Sequence, residues 1–175
     1  MIALTMVLAA LAYDPLAVGT EPVARYDETW RDPARSRDVP IRVYLPASSK
    51  PAPLVLFSHG LGGSRQNNVF LGERLARRGY VALFVQHPGS DESVWRGVRP
   101  VEVMSQMRST ASGNNLKLRA EDVRFAIDQA LRRANDPSDR LRGRIDAKRI
   151  GVSGHSFGAM TSQVPGGMTM PAVGT

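Results

Sequence analysis

The chain has 175 residues, of which 42% are hydrophobic and 22% charged, and this composition predicts one soluble globular domain. It has no cysteine, which excludes a disulfide framework, a thiolate metal site and a cysteine nucleophile. The net charge of +7 comes mainly from arginines spread along the chain, a pattern that does not favour nucleic-acid binding.

The N-terminal stretch MIALTMVLAALAYDP carries a short apolar run that ends in Ala10-Leu11-Ala12. This run resembles the hydrophobic core and cleavage site of a secretory signal, but it lacks a basic start and is too short to span a bilayer. Two interpretations of residues 1–23 stay open. A signal remnant would place the protein outside the cytoplasm, either secreted or periplasmic, whereas a flexible or buried N-terminus would leave it cytoplasmic. No other run approaches a membrane span.

The next segments predict strands and one helix. Residues 24–46 indicate two strands around a turn, which form an edge hairpin. The apolar runs PAPLVLF (51–57) and YVALFVQ (80–86) are typical of strands buried on both faces of a parallel sheet. Between them, residues 66–78 predict a helix that ends at Gly79. A strand–helix–strand unit of this kind implies parallel pairing.

Residues 90–118 form the least regular part and predict either a lid or a loose helical excursion. Residues 119–134 predict a helix from their apolar periodicity, and residues 149–154 predict a strand. The whole pattern predicts an α/β fold, a mostly parallel sheet with flanking helices. Its central strands are expected at 54–57, 80–85 and 149–153.

The stretch Gly154-His155-Ser156-Phe157-Gly158 matches G-x-S-x-G directly after the last predicted strand. In that context the pattern is typical of a nucleophile elbow, a strained strand-to-helix turn that exposes the serine hydroxyl. A chance cluster of small residues in a loop is the alternative. The strand before the motif favours the elbow, and Ser156 is the candidate nucleophile.

The glycine-rich stretch FSHGLGGSR (57–65) follows the first buried strand. Its glycines let the backbone approach a substrate closely, as an oxyanion-binding loop requires. The candidate donors to an oxyanion are the backbone N–H groups of Leu61 and Phe157. A turn without chemistry is the alternative. A phosphate-binding loop is disfavoured because the Lys-Ser/Thr ending of a P-loop is missing.

The stretches FSHGLGG, RGYVALFVQHPGSD and IDAKRIGVSGHSFGAMT resemble the α/β-hydrolase superfamily across residues 39–162. They are most similar to the N-terminal part of the platelet-activating-factor acetylhydrolase and dienelactone-hydrolase-like group. The resemblance implies a carboxylic-ester hydrolase acting through an acyl-serine. Ser156 would be the nucleophile, and Leu61 and Phe157 the backbone oxyanion donors. The substrate would be a small-molecule or lipid ester, and no cofactor or metal is implied.

The catalytic partners of Ser156 are not evident. In this fold an Asp or Glu and then a His follow the serine, yet residues 157–175 contain none of these residue types. His59 is expected to hold its loop by hydrogen bonding, and His155 to point away from the Ser156 hydroxyl into the structure. His87 is the least implausible substitute base, although a structural role is favoured.

The elbow helix is expected to stop at Pro165, and the chain is therefore expected to be an incomplete α/β-hydrolase domain over residues 24–175, truncated after the elbow. The alternative function is a non-catalytic fragment or interaction module without the triad acid and histidine. An uncovered sheet edge would then permit self-association.

Overall fold

The computed structural model describes residues 17–168, so the apolar N-terminal stretch that resembles a signal segment lies outside the described residues. The elements follow in chain order as β1 (Ala24–Asp32), β2 (Arg37–Leu45), β3 (Ala52–Ser58), α1 (Val69–Arg77), β4 (Val81–Val85), α2 (Pro100–Thr110), α3 (Gly113–Ala134), β5 (Ile145–Gly154) and α4 (Phe157–Gln163). A short 3₁₀ helix, Glu92–Val94, precedes α2.

The five strands form one mixed sheet in the order β1-β2-β4-β3-β5. β3 pairs in parallel with β4 and with β5, whereas β2 pairs antiparallel with β1 and with β4. The three predicted parallel strands and the edge hairpin are therefore confirmed, but β5 lies at an edge of the described sheet and not at its centre. The mixed character comes from the hairpin, because its tight turn makes β1 and β2 antiparallel neighbours and β2 also runs antiparallel to β4.

Helices cover both faces of this sheet. One core cluster joins Val123, Ala126 and Ala130 of α3 to side chains of all five strands. A second cluster on the other face contains Ala76 of α1 with Phe57 and Phe84. Two helical layers around a largely parallel centre make an α/β-hydrolase-like fold. Within residues 17–168, no helix combines the length and apolar character needed to cross a membrane.

The irregular segment before α3 is more helical than its sequence predicts. The 90–118 segment contains α2, which has Pro100 in its first turn, where the missing N–H has no helical partner. α3 begins at Gly113 rather than near Arg119, because the Ser112 side chain accepts a hydrogen bond from the Asn115 N–H and caps the helix. The predicted end of α3 is confirmed at Ala134.

Candidate active site

Ser156 lies in a sharp turn between β5, which ends at Gly154, and α4, which begins at Phe157. Its backbone has φ 54° and ψ −120°, a conformation that L-residues other than glycine rarely adopt. Such strain persists only where the surrounding packing enforces it, and it clusters at functional sites. The strand-to-helix turn predicted from the G-x-S-x-G pattern is confirmed, and Ser156 is exposed on it.

The two elbow glycines are required because backbone passes directly over them. A Cβ on Gly158 would overlap the Ser58 carbonyl oxygen and lie 2.6 Å from the His59 carbonyl oxygen. A Cβ on Gly154 would overlap the Gly158 carbonyl and lie 2.8 Å from the Ser58 carbonyl oxygen. The elbow is therefore packed against the end of β3, where the glycine-rich loop begins.

Ser156 shares a cavity of about 280 Å³ with that loop. The cavity is lined by His59, Gly60, Leu61, Gly62, Gly63, Asn67, Asn68, His155 and Ser156. Within residues 17–168, neither the Leu61 N–H nor the Phe157 N–H donates a hydrogen bond. Leu61, in the loop wall of the cavity, and Phe157, next to the exposed serine in the chain, therefore each carry a backbone donor without a partner among the described residues.

The glycine-rich loop is held by the segment that follows β4. The Gly62 N–H donates to the Ser90 carbonyl at 3.0 Å, and the Trp95 indole N–H donates to the Gly62 carbonyl at 2.7 Å. Gly62 has φ +73°, and a Cβ there would lie 3.0 Å from the Trp95 ring. The start of the 90–118 segment therefore belongs to the wall of the site.

His155 does not take the predicted direction. It is exposed and lines the same cavity as Ser156. A Cβ on Gly60 would lie 3.0 Å from the His155 Nδ1, so the ring occupies the space that this glycine leaves open. The prediction that His155 points into the structure is wrong, because the packed end of β3 fills the interior side of the turn.

His59 holds the loop, as predicted. Its ring Nδ1 lies 2.6 Å from the Gly60 carbonyl oxygen, and its Nε2 accepts the His87 backbone N–H at 3.1 Å. Since a carbonyl only accepts, Nδ1 carries the proton and the ring is neutral. Both nitrogens are engaged, so His59 has no free nitrogen for Ser156.

His87 is also engaged, but with a different serine. Its Nδ1 lies 3.1 Å from Asp122 Oδ2, and its Nε2 lies 2.9 Å from Ser58 Oγ. The order serine, histidine, aspartate imitates a catalytic triad, yet all three side chains are buried. Because a substrate cannot reach Ser58, this chain of hydrogen bonds is structural. His87 is not the base for Ser156 in this conformation.

Sequence reasoning missed the partner of His87. Asp122 and Arg119 lie three positions apart on the otherwise apolar face of α3, beside Val123 and Ala126. Charged residues on the buried face of a helix are rare unless they are paired. That interruption of the apolar pattern was the available signal for a buried polar network.

Asp122 is the charged centre of this network. Arg37 donates to both of its carboxylate oxygens, at 2.8 and 3.0 Å, and Arg35 lies 2.9 Å away. Burial alone would raise the pKa of Asp122, but hydrogen bonds from His87 and Arg37 outweigh that effect and lower it. The carboxylate therefore stays ionised and balanced by neighbouring guanidinium groups.

Because the His59 and His87 rings are buried, we expect the free energy of unfolding to fall in acid. Burial lowers the pKa of His59 to about 4, partly opposed by its bond to Gly60, and burial also lowers the pKa of His87. Between pH of about 6.5 and 4 the unfolded chain binds protons at these rings and the folded chain does not. The stability that depends on these two neutral rings is therefore fully present above a pH of about 6.5, and His59 alone should remove about 3 kcal/mol as the pH falls to about 4.

Urea denaturation at pH 7.5 and 4.5 measures this effect. The midpoint should fall clearly at the lower pH, and His59→Gln should reduce the difference between the two midpoints. Equal midpoints at both pH values would mean that the two rings are not held neutral.

Comparison with known proteins shows which families this chain resembles. A family model described as platelet-activating factor acetylhydrolase, isoform II, matches residues 37–135, from β2 through α3. A solved ferulic acid esterase from Streptomyces cinnamoneus superposes with a TM-score of 0.56 at 26% identity, covering 87% of this chain and 56% of that chain.

Curated relatives include cutinases of Thermobifida. Cutinase 1 of Thermobifida cellulosilytica is 28% identical over 116 residues, which cover 66% of this chain and 35% of that protein. The cutinase of Thermobifida fusca (strain YX) is 28% identical over 116 residues, covering 66% and 30%. The chain thus matches about a third of the length of these relatives.

In the part of the chain that the structure describes, no three His, Asp or Glu side chains are grouped to hold a metal ion.

Proposed function

Because the chain belongs to the platelet-activating factor acetylhydrolase isoform II family, we propose that it hydrolyses carboxylic esters through an acyl-serine intermediate on Ser156. The cutinase relatives and the ferulic acid esterase agree with this reaction class. Small-molecule and lipid esters both satisfy the chemistry, since the reacting group is the ester carbonyl in either case.

The observation that carries the proposal is the combination of a strained, exposed serine with unpaired backbone donors. Ser156 and Leu61 line one cavity, and Phe157 follows the serine at the first position of α4. The N–H groups of Leu61 and Phe157 have no partners in residues 17–168. Buried or half-buried N–H groups are normally paired, so two free donors beside a serine suit an incoming oxyanion.

The proposed reaction follows from this arrangement. The Ser156 Oγ attacks the ester carbonyl carbon, and the carbonyl oxygen becomes an oxyanion that accepts hydrogen bonds from Leu61 and Phe157. The carbonyl re-forms as the alcohol leaves, which gives an acyl-serine, and water then releases the acid. A base must accept the Ser156 proton and return it to the departing alkoxide, which leaves as the alcohol, and within residues 17–168 no histidine bonds to the Ser156 hydroxyl.

A mass-spectrometric test locates the nucleophile. Prolonged reaction with excess fluorophosphonate should add one label to the 175-residue chain, on the peptide that contains Ser156. Ser156→Ala should abolish the label. Ser162→Ala is the matched control, because Ser162 lies on α4 and its hydroxyl donates to the Ala159 carbonyl. Undiminished labelling of Ser156→Ala would refute the assignment.

The alternative, a non-catalytic interaction module, has one structural observation in its favour. β5 pairs with β3 on one side only among the described residues, so its other edge can accept a strand from a second molecule. Size-exclusion chromatography of the same preparations addresses this alternative. A stable oligomer without any label on Ser156 would favour the interaction module over the esterase.

A further inference from the structure

Arg119 of α3 is a buried arginine, 1% exposed, whose guanidinium group reaches three separate chain segments. Its Nε donates to Thr161 Oγ1 on α4 at 2.9 Å, and its Nη1 donates to Ser90 Oγ at 2.9 Å. Its Nη2 donates to Ser58 Oγ at 3.0 Å and, by a short hydrogen bond, to the His59 carbonyl. The guanidinium carbon also lies 4.9 Å from the centre of the Phe157 ring.

These contacts join the two halves of the proposed oxyanion site. On one side, Ser58 and His59 lead directly into the loop that carries Leu61. On the other side, Arg119 contacts the ring of Phe157 itself and a hydroxyl one turn further along α4. Ser90 adds a third support, since its carbonyl accepts the Gly62 N–H.

We propose that Arg119 is a positioning residue that sets the spacing between the Leu61 and Phe157 N–H groups. This inference rests on the proposed esterase function and goes beyond it by assigning a residue that touches neither the nucleophile nor the substrate. A displacement of about 1 Å between groups that must act together can cost about 10²-fold in rate. A rigid link between the two donors therefore has a catalytic consequence beyond stability.

The shape of the side chain explains why arginine occupies this position. A guanidinium group is planar and presents five donors in a fixed fork, so one residue can hold several acceptors at set angles. A lysine ammonium on a flexible stem carries the same charge but cannot reproduce the fork. Burial lowers the pKa of Arg119 to about 10, which still leaves it protonated at neutral pH.

The test measures the rate at which a fluorophosphonate labels Ser156 over a range of probe concentrations. These data give the maximal labelling rate and, separately, the half-saturation concentration, at which the probe reaches half of that rate. Arg119→Ala and Arg119→Lys should each lower the maximal rate by about 10²-fold, with half-saturation nearly unchanged. Guanidinium ion at millimolar concentration should restore part of the rate to Arg119→Ala, whereas ammonium should not. Arg124→Ala, an exposed arginine on the same helix, is the matched control.

The outcomes of this test distinguish failure of the proposed function from failure of the inference about Arg119 alone. Labelling that persists in Ser156→Ala refutes the proposed function and, with it, the inference that rests on that function. Labelling that is specific to Ser156 but proceeds at the wild-type rate in a folded Arg119 variant overturns the inference. If both Arg119 variants fail to fold by circular dichroism, Ser90→Ala decides, because it removes one acceptor of the Arg119 guanidinium group and, among the other described residues, only a 3.4 Å hydrogen bond to the His87 carbonyl. A slower maximal rate in that variant supports the positioning role, and an unchanged rate overturns it.

Discussion

Gly158→Ala is expected to lower the free energy of unfolding by about 3 kcal/mol, since the added methyl group overlaps backbone that has no room to move. The Ser58 and His59 carbonyls lie directly over Gly158. Both of these residues also accept hydrogen bonds from Arg119, one through its hydroxyl and one through its carbonyl. Relief of the overlap would therefore require α4 to move away from the end of β3.

Gly151→Ala is the matched control for this prediction. Gly151 lies in the same strand as Gly154, and a Cβ there meets nothing within 4 Å. The control should change stability by less than about 0.5 kcal/mol. Urea unfolding followed by circular dichroism compares the two variants. If Gly158→Ala retained the wild-type midpoint, the close packing of the elbow against β3 would be wrong.

The second large effect concerns the base for Ser156, since among the described residues no histidine bonds to the Ser156 hydroxyl. The 175-residue chain should hydrolyse p-nitrophenyl acetate at least about 10⁴-fold more slowly than a form in which a histidine reaches Ser156. Loss of the base costs nearly as much as loss of the serine, about 10⁶-fold in a serine protease. The oxyanion site and binding alone still leave an acceleration of about 10³ to 10⁴ over water.

Expression from the coding sequence continued past Thr175, read in all frames, provides the comparison. A form that adds an acidic residue and a histidine on strand-like segments should turn over the ester readily and lose activity in Ser156→Ala. Fast turnover by the 175-residue chain that disappears in Ser156→Ala would place a base within this chain. His155→Gln would then be the next variant, because His155 lines the cavity beside Ser156.

Local patterns in the sequence predicted much of the fold. Continuous apolar runs predicted β3 and β4, because a strand buried on both faces cannot alternate with polar residues. G-x-S-x-G predicted the turn at Ser156, since only glycine permits backbone to pass so closely. The start of α3 was misplaced because the Ser112 cap lies ahead of the regular apolar periodicity.

The sequence by itself determined the order of strands and helices, the elbow and the glycine-rich loop, because these depend on the properties of neighbouring residues. Only the tertiary structure decided where His155 points, which side chains pair with His87 and what Arg119 contacts. Ser58 and Arg119 are 61 positions apart, and their contact exists because β3 and α3 pack together. No local periodicity encodes such a pairing, since burial of a charged group is compensated by partners that the topology supplies from distant parts of the chain.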